Sequence, residues 1–132
     1  MLKHGILNPH VLSLIARVRH TNTLVIADWA FPSWPGVPTV DLSLTHGIPT
    51  VLQVLDLLQP IFKVGRICQA SEFLAHNSPE VIAKFDRSLA SFDDARVERI
   101  PHLELKSQVP AAIGLIRTGD PTPYANLIIE SA

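Results

Sequence analysis

The sequence predicts one α/β domain over residues 1–132, arranged as a three-layer α/β/α sandwich around a mixed, largely parallel sheet. Two observations favour this class. Short segments that are apolar throughout, as in strands buried on both faces, alternate with segments whose apolar residues recur at helical spacing. Cap and turn residues separate these segments. Strands that alternate with helices form sheets with helices packed on both faces.

Four helices are predicted, and two of them begin with a recognisable capping pattern. Asn8 and Ser78 are residue types that cap helices, and each precedes a proline, whose missing N–H costs nothing at the first helical position. Glu80 then lies near the positive end of the helix dipole. The predicted helices cover residues 9 to about 20, 50–59 (opened by Pro49), 79 to about 91, and 103–108.

Six strands are predicted between these helices. The segment Leu24–Ala27 is wholly apolar, and Asp28 ends it. A turn over residues 119–123 joins the last two strands. The predicted strands cover residues 24–27, 39–42, 64–70, 97–100, 112–116 and 124–129.

Composition excludes several classes of function. The net charge is −1 and no basic run occurs, which argues against nucleic-acid and membrane-surface partners, because both require concentrated positive charge. No apolar run is long enough to span a bilayer or to serve as a signal peptide. The single cysteine, Cys68, excludes an internal disulfide and suits a reducing compartment. We therefore expect a cytoplasmic protein.

Two polar residues flank the first predicted strand. His20 lies where the preceding helix is predicted to end, and a helix C-terminus favours a protonated imidazole, which makes His20 a candidate acid–base group. A surface histidine that only caps the helix would fit the same spacing. Asp28 follows the carboxyl end of the strand, where ligands gather in open α/β sheets, although an acid there can also simply start a turn.

Further candidates lie in the carboxy-terminal third of the chain. His102 and Lys106 are four residues apart, so in a helix they project from one face, which could equally be a solvated face. Tyr124 and Asn126 are two apart, so in a strand their side chains would point the same way. Both can bind hydroxyl groups, although a tyrosine in a strand is more often a packing residue.

Several catalytic patterns are missing from the sequence. The six histidines form no metal-binding pair, so zinc has weak support. Neither a dinucleotide-binding glycine motif nor a P-loop occurs. Cys68 lies in a predicted strand without a neighbouring motif, which favours a buried structural thiol over a nucleophile.

Three ordered groups of residues carry a family resemblance that covers nearly the whole chain. They are KHGILN (3–8) with His20 and VIAD (25–28), VDLSL (40–44) with GIP (47–49), and IRTG (116–119) with TPYAN (122–126). Together, in this order and spacing, they resemble the bacterial ribose pyranase family, in the wider group that includes the fucose mutarotases.

The resemblance implies roles for individual residues. It makes His20 the catalytic acid–base residue of a sugar mutarotase without metal or cofactor, with D-ribose as the expected substrate. Asp28, His102, Tyr124 and Asn126 would line the sugar site, with Lys106 as a further contact. The family assembles as rings, commonly decamers of two stacked pentamers. The resemblance further implies that Tyr124 and Asn126 contribute to the pocket of a neighbouring subunit, so that a monomer has no complete site.

One loop departs from the ribose pyranase pattern. After the aspartate, those proteins usually have Ala-Gly and then Leu-Pro, whereas this chain has Trp29-Ala30-Phe31-Pro32 and adds Trp34. Phe-Pro at this point is similar to the fucose branch. L-fucose or another monosaccharide is therefore an alternative substrate. A sugar-binding accessory protein of a transport or catabolic system, without catalysis, is the alternative of a different class.

Overall fold

The computed structural model describes residues 1–132, and a mixed sheet of six strands lies at its centre. The strand order is β2-β5-β1-β6-β3-β4. β6 runs antiparallel to its neighbours β1 and β3, whereas the other three pairs are parallel, which confirms the predicted mixed sheet. The strands are β1 (Thr23–Ala27), β2 (Thr39–Asp41), β3 (Val64–Ala70), β4 (Arg96–Ile100), β5 (Gly114–Arg117) and β6 (Leu127–Ser131).

Helices cover both faces of this sheet, as the predicted three-layer sandwich requires. Apolar side chains of β1 alternate between the two faces: Leu24 and Ile26 pack with α1 to α4, and Val25 and Ala27 pack with α5. No helix is long and apolar enough to cross a membrane. The helices are α1 (Pro9–Ile15), α2 (Val51–Leu58), α3 (Glu72–His76), α4 (Pro79–Ala90) and α5 (His102–Gln108), which a 3₁₀ turn (Val109–Ala111) extends.

The caps predicted for α1 and α4 are confirmed. The side-chain oxygen of Asn8 accepts hydrogen bonds from the first backbone N–H groups of α1, and the Ser78 hydroxyl accepts one from Val81. The predicted start of α2, at residue 50, was one residue early. Thr50 is the cap, because its side chain and that of Gln53 exchange hydrogen bonds with each other's backbone N–H groups, so Pro49 lies outside the helix.

The first helix ends at Ile15, earlier than predicted. After Ile15 the chain tightens into turns, in which Val18 N–H donates to the Ile15 carbonyl. The guanidinium group of Arg19 donates to the carbonyl oxygens of Ala16 and Val18, which the helix no longer uses. His20 therefore lies in a turn rather than at a helix end. Its predicted placement at the end of the first helix is wrong.

Two further differences lie close to the site described below. The helix α3 was not predicted, because it is only five residues long, has no side-chain cap and buries only Phe73. The last strand begins at Leu127 instead of residue 124, because Tyr124 has a φ of 56°, a left-handed conformation that interrupts a strand.

Candidate functional site

A cavity of about 230 Å³ lies beyond the carboxyl end of β1. Four of the six predicted site residues line it, namely Asp28, His102, Tyr124 and Asn126. Strand ends of this kind are where open α/β sheets bind ligands. The remaining lining residues are Ala30, Phe31, Pro32 and Pro123.

Asp28 and Asn126 form a reciprocal pair at the floor of this cavity. The amide Nδ2 of Asn126 donates to Asp28 Oδ2 at 2.9 Å, and Asp28 N–H donates to Asn126 Oδ1 at 2.8 Å. Ala30 N–H donates to the other carboxylate oxygen. Burial raises the pKa of Asp28, and these hydrogen bonds partly oppose the rise. The carboxylate is thus held in one orientation with limited hydration, as binding of a hydroxyl group requires.

His102 is the first residue of α5 and forms the opposite wall. Its ring makes edge contacts with Tyr124, at 5.1 Å between ring centroids, and with Phe31 at 6.3 Å. Its Nδ1 is buried and has no hydrogen-bond partner. Burial lowers the pKa of His102, and the positive charge of Lys106 lowers it further. Both effects favour the neutral imidazole.

Lys106 lies one turn further along α5 and does not line the cavity. Its Nζ is 5.9 Å from the centroid of the Trp34 ring, and Trp34 packs on Phe31 at 5.1 Å. Lys106 thus acts on the cavity indirectly, through the effect of its charge on His102 and through the stacked rings of Trp34 and Phe31. A direct contact with a ligand stays a prediction for this residue.

The two tryptophans of the atypical loop lie outside the cavity. Trp29 is 50% exposed, and its ring faces His46 at 5.0 Å across a separate cavity of about 200 Å³. Phe31 and Pro32 are the residues of this loop that line the site. Neither indole therefore stacks in the main cavity of this chain.

Tyr124 and Asn126 reach the cavity for a different reason from the predicted one. They precede β6, so the alternation of side chains in a strand does not apply to them. Within one chain, both line a cavity together with Asp28 and His102, and a contribution to the pocket of a neighbouring subunit stays a prediction.

His20 is the predicted residue that the fold keeps away from this cavity. It is exposed and precedes the amino end of β1, whereas Asp28 follows the carboxyl end. The five residues of β1, at about 3.3 Å each, place its two ends about 16 Å apart. Within one chain, therefore, His20 does not reach the other predicted site residues.

Arg117 fixes the loop that carries Phe31, a role that the sequence analysis missed. Its guanidinium group donates to the Phe31 carbonyl at 3.1 and 2.9 Å and to Asp41 Oδ2 at 3.0 Å. The side chain is largely buried, and charge-assisted hydrogen bonds of this kind are strong. An arginine at the carboxyl end of an apolar strand was the signal that could have indicated this anchor.

Replacing Lys106 with methionine is expected to raise the pH at which His102 titrates. The lysine charge lowers the pKa of His102, so its removal moves the midpoint upward toward the ordinary value. The midpoint would be followed by NMR from the ring proton signals of His102, assigned with a His102→Asn variant. Lys84→Met, on α4, is the control and should leave the midpoint in place. An unchanged midpoint in Lys106→Met would contradict the electrostatic coupling.

Protonation of His102 changes the free energy of unfolding in a definite direction. Because the pKa of His102 is lower in the folded state, its neutral form contributes stability above the unfolded value of 6.5, and this contribution is lost as pH falls through the folded pKa. In Lys106→Met the loss still begins near the unfolded value, but it is smaller and is complete at a higher pH, because the folded pKa lies closer to that value. Unfolding measured between pH 5 and 7 therefore provides a second readout of the same coupling.

Comparison with known proteins gives one consistent family. The model of the RbsD / FucU transport protein family matches residues 1–132. The D-ribose pyranase of Bacillus licheniformis is 40% identical over 131 residues, which cover 99% of this chain and 97% of that protein. The D-ribose pyranase of Chromobacterium violaceum is 41% identical over the same shares of both chains.

Solved structures agree with the sequence matches. The structure of Bacillus subtilis RbsD complexed with D-ribose has a TM-score of 0.89 and 36% identity, and the match covers 100% of this chain and 98% of that one. The fucose mutarotase of Streptococcus pneumoniae in complex with L-fucose has a TM-score of 0.78, with 99% and 98% coverage. At 17% identity, this second match shows the fold alone.

Proposed function

The chain belongs to the RbsD / FucU transport protein family, and on this premise we propose that it is an enzyme, a mutarotase that interconverts the pyranose and furanose forms of D-ribose, and their anomers. The geometry that supports this function is the cavity in which Asp28, His102, Tyr124 and Asn126 converge. Relatives about 40% identical over the whole chain carry the ribose pyranase name, and one such protein at 36% identity was solved with D-ribose.

The reaction needs only proton transfers. A base removes the proton of the anomeric hydroxyl while an acid protonates the ring oxygen, and the bond between that oxygen and the anomeric carbon breaks. The resulting open-chain aldehyde closes again through a different hydroxyl, which turns a pyranose into a furanose, and the two protons are returned. Positioned acid–base groups typically accelerate such steps by about 10²–10⁴-fold.

Side chains of the cavity provide the contacts that hold the sugar in our proposal. Asp28 accepts a hydrogen bond from one or two hydroxyls, since Ala30 and Asn126 already fix the orientation of its carboxylate. The hydroxyl of Tyr124 and the neutral ring of His102 bind further hydroxyls. The Phe31 ring offers an apolar surface to the C–H face of the sugar.

His20 is the proposed acid–base residue, and it acts in the cavity of a neighbouring subunit. The family resemblance supplies the acid–base role, and the length of β1 between His20 and Asp28, about 16 Å, supports its action in the cavity of another chain. Each chain would then supply one cavity and one imidazole for another cavity. A closed ring satisfies this requirement for every site, and the family resemblance favours two stacked pentameric rings. We place the assembly in the cytoplasm, where the free thiol of Cys68 stays reduced.

Two alternatives remain as outcomes of the experiment. L-fucose as substrate is supported by the Phe31-Pro32 pair in the cavity wall and by a likeness in fold. A sugar-binding accessory protein would use the same cavity without needing His20. The imidazole therefore distinguishes the enzyme from the binder.

Magnetisation-exchange NMR on D-ribose tests the proposed activity. Catalytic amounts of protein should increase the exchange rate between ribopyranose and ribofuranose signals above the rate in buffer. Acceleration of exchange for L-fucose alone would support the proposed mutarotase reaction with L-fucose, instead of D-ribose, as the substrate. No acceleration for any sugar, with an intact oligomer that still binds ribose, would favour the accessory protein instead.

A further inference from the structure

The segment Glu72–Asn77, formed by α3 and the residue that follows it, contacts two walls of the sugar cavity without lining it. Its first residue touches the start of α5, which carries His102. Its last two residues touch the turn that carries Tyr124. The middle of the segment is anchored in the core, because Phe73 is fully buried and packs on Phe85 at 4.7 Å.

Glu72 fixes the position at which α5 begins. The backbone N–H of His102 donates to both carboxylate oxygens of Glu72, at 3.1 and 2.9 Å. Pro101, which precedes it, provides no side-chain cap, so Glu72 takes the place of a local cap. Backbone hydrogen bonds, from its own N–H and from that of His102, lower the pKa of Glu72, which is therefore ionised at neutral pH.

Asn77 and His76 hold the turn around Tyr124. The side-chain amide of Asn77 donates to the Pro123 carbonyl at 2.9 Å and to the Phe73 carbonyl at the same distance. The ring of His76 lies 4.8 Å from that of Tyr124, and its Nδ1 is hydrogen-bonded to the Glu72 carbonyl. Tyr124 has a φ of 56°, a conformation that a non-glycine residue keeps only where its surroundings determine it.

We propose that Glu72, His76 and Asn77 are positioning residues of the mutarotase site: Asn77 and His76 hold Tyr124 in its left-handed conformation, and Glu72 fixes His102 on the opposite side. The ring of Tyr124 contacts the rings of both His76 and His102, so the orientation of its side chain depends on both contacts. This inference rests on the proposed function for its kinetic consequence. Its structural consequence, the placement of Tyr124, can be measured independently of activity.

Tyr124 is the only tyrosine of the chain, which makes it a specific probe. Protein labelled with 3-fluorotyrosine should give one ¹⁹F resonance, and D-ribose should shift it. In Asn77→Ala the resonance of the free protein should move or broaden. The KM for ribose exchange should rise about tenfold while kcat stays within about threefold, because the binding contact of Tyr124 is weakened uniformly.

Ser78→Ala is the matched control. It removes the adjacent cap of α4, a hydrogen bond that the Ser78 hydroxyl accepts from Val81 N–H, and leaves both hydrogen bonds of the Asn77 amide in place. It should lower the melting temperature but leave the ¹⁹F resonance and the KM unchanged. If Asn77→Ala fails to fold, His76→Ala, which alters an exposed side chain, tests the same contact. His76→Phe should restore the KM because it keeps the ring.

The proposal is overturned if Asn77→Ala or His76→Ala behaves like Ser78→Ala, with the ¹⁹F resonance and the KM both at wild-type values. Failure of the proposed function looks different. In that case the wild-type protein accelerates no exchange, yet the ¹⁹F comparison between Asn77→Ala and Ser78→Ala still decides whether the segment positions Tyr124.

Discussion

Replacing His20 with alanine is expected to reduce pyranose–furanose exchange of D-ribose by about 10²–10⁴-fold, the usual contribution of a positioned acid–base group. The Kd for ribose should change by less than about tenfold, because the cavity built from Asp28, His102 and Tyr124 is untouched. The two quantities would be measured by exchange NMR and by calorimetric titration of the same protein preparation.

His10→Ala is the control for this substitution. His10 is exposed on α1 and none of its ring atoms makes a hydrogen bond, so exchange should stay at the wild-type rate. Full activity in His20→Ala would remove the central residue of the proposed mechanism. Loss of ribose binding together with activity would instead make His20 a binding residue.

Replacing Gly119 with alanine is expected to destabilise the protein by about 3 kcal/mol or more, which lowers the melting temperature by about 10 °C. An added Cβ would lie 2.3 Å from the Thr45 carbonyl oxygen and 2.5 Å from that of Ile48. Both are backbone atoms and cannot rotate away. Gly119 is also held on both sides, because its N–H donates to the Pro49 carbonyl and its own carbonyl accepts from Gly47.

The position matters for the site as well as for stability. Gly119 precedes Asp120, whose carbonyl accepts a hydrogen bond from the residue after Asp28 and whose carboxylate caps α2 at Val51. Gly65→Ala is the control, since the nearest atoms to its added Cβ would be the Cβ and Cα of Ala132, at 3.3 and 3.7 Å, and it should cost less than about 1 kcal/mol. Equal melting temperatures for the two variants would show that the loop over residues 45–49 can move away from Gly119.

The parts of the fold that could be predicted are those determined by neighbouring residues. The caps at Asn8 and Ser78 act within one helical turn, and the strand Val64–Ala70 is bounded by its own apolar pattern. The segment around Tyr124 could not be predicted in this way. Tyr124 is left-handed, and the turn that carries it is held by Asn77, which lies 46 residues before Pro123 along the chain.

The residues of the candidate site also divide into those that the sequence could identify and those that only the tertiary fold reveals. Asp28 and His102 were identifiable because each follows a strand, and strand ends meet at one edge of a sheet. The anchoring roles of Arg117 and Glu72 were not identifiable from the sequence, because each side chain is hydrogen-bonded to a backbone group that only the tertiary fold brings near. The separation of His20 from Asp28 could have been predicted, because the two residues flank the same predicted strand. The family resemblance instead implied that both belong to one site.

Mixing two inactive variants tests most directly whether a site combines residues from two subunits. His20→Ala has an intact cavity and Asp28→Ala an intact His20, and each should be nearly inactive alone while still assembling. In oligomers reassembled from equal amounts, about a quarter of the sites should combine both intact parts if subunits mix randomly in a closed ring. Recovery of about a quarter of the wild-type exchange rate is the result that we predict. No recovery in verified mixed oligomers would show that His20 does not complete the cavity of another subunit.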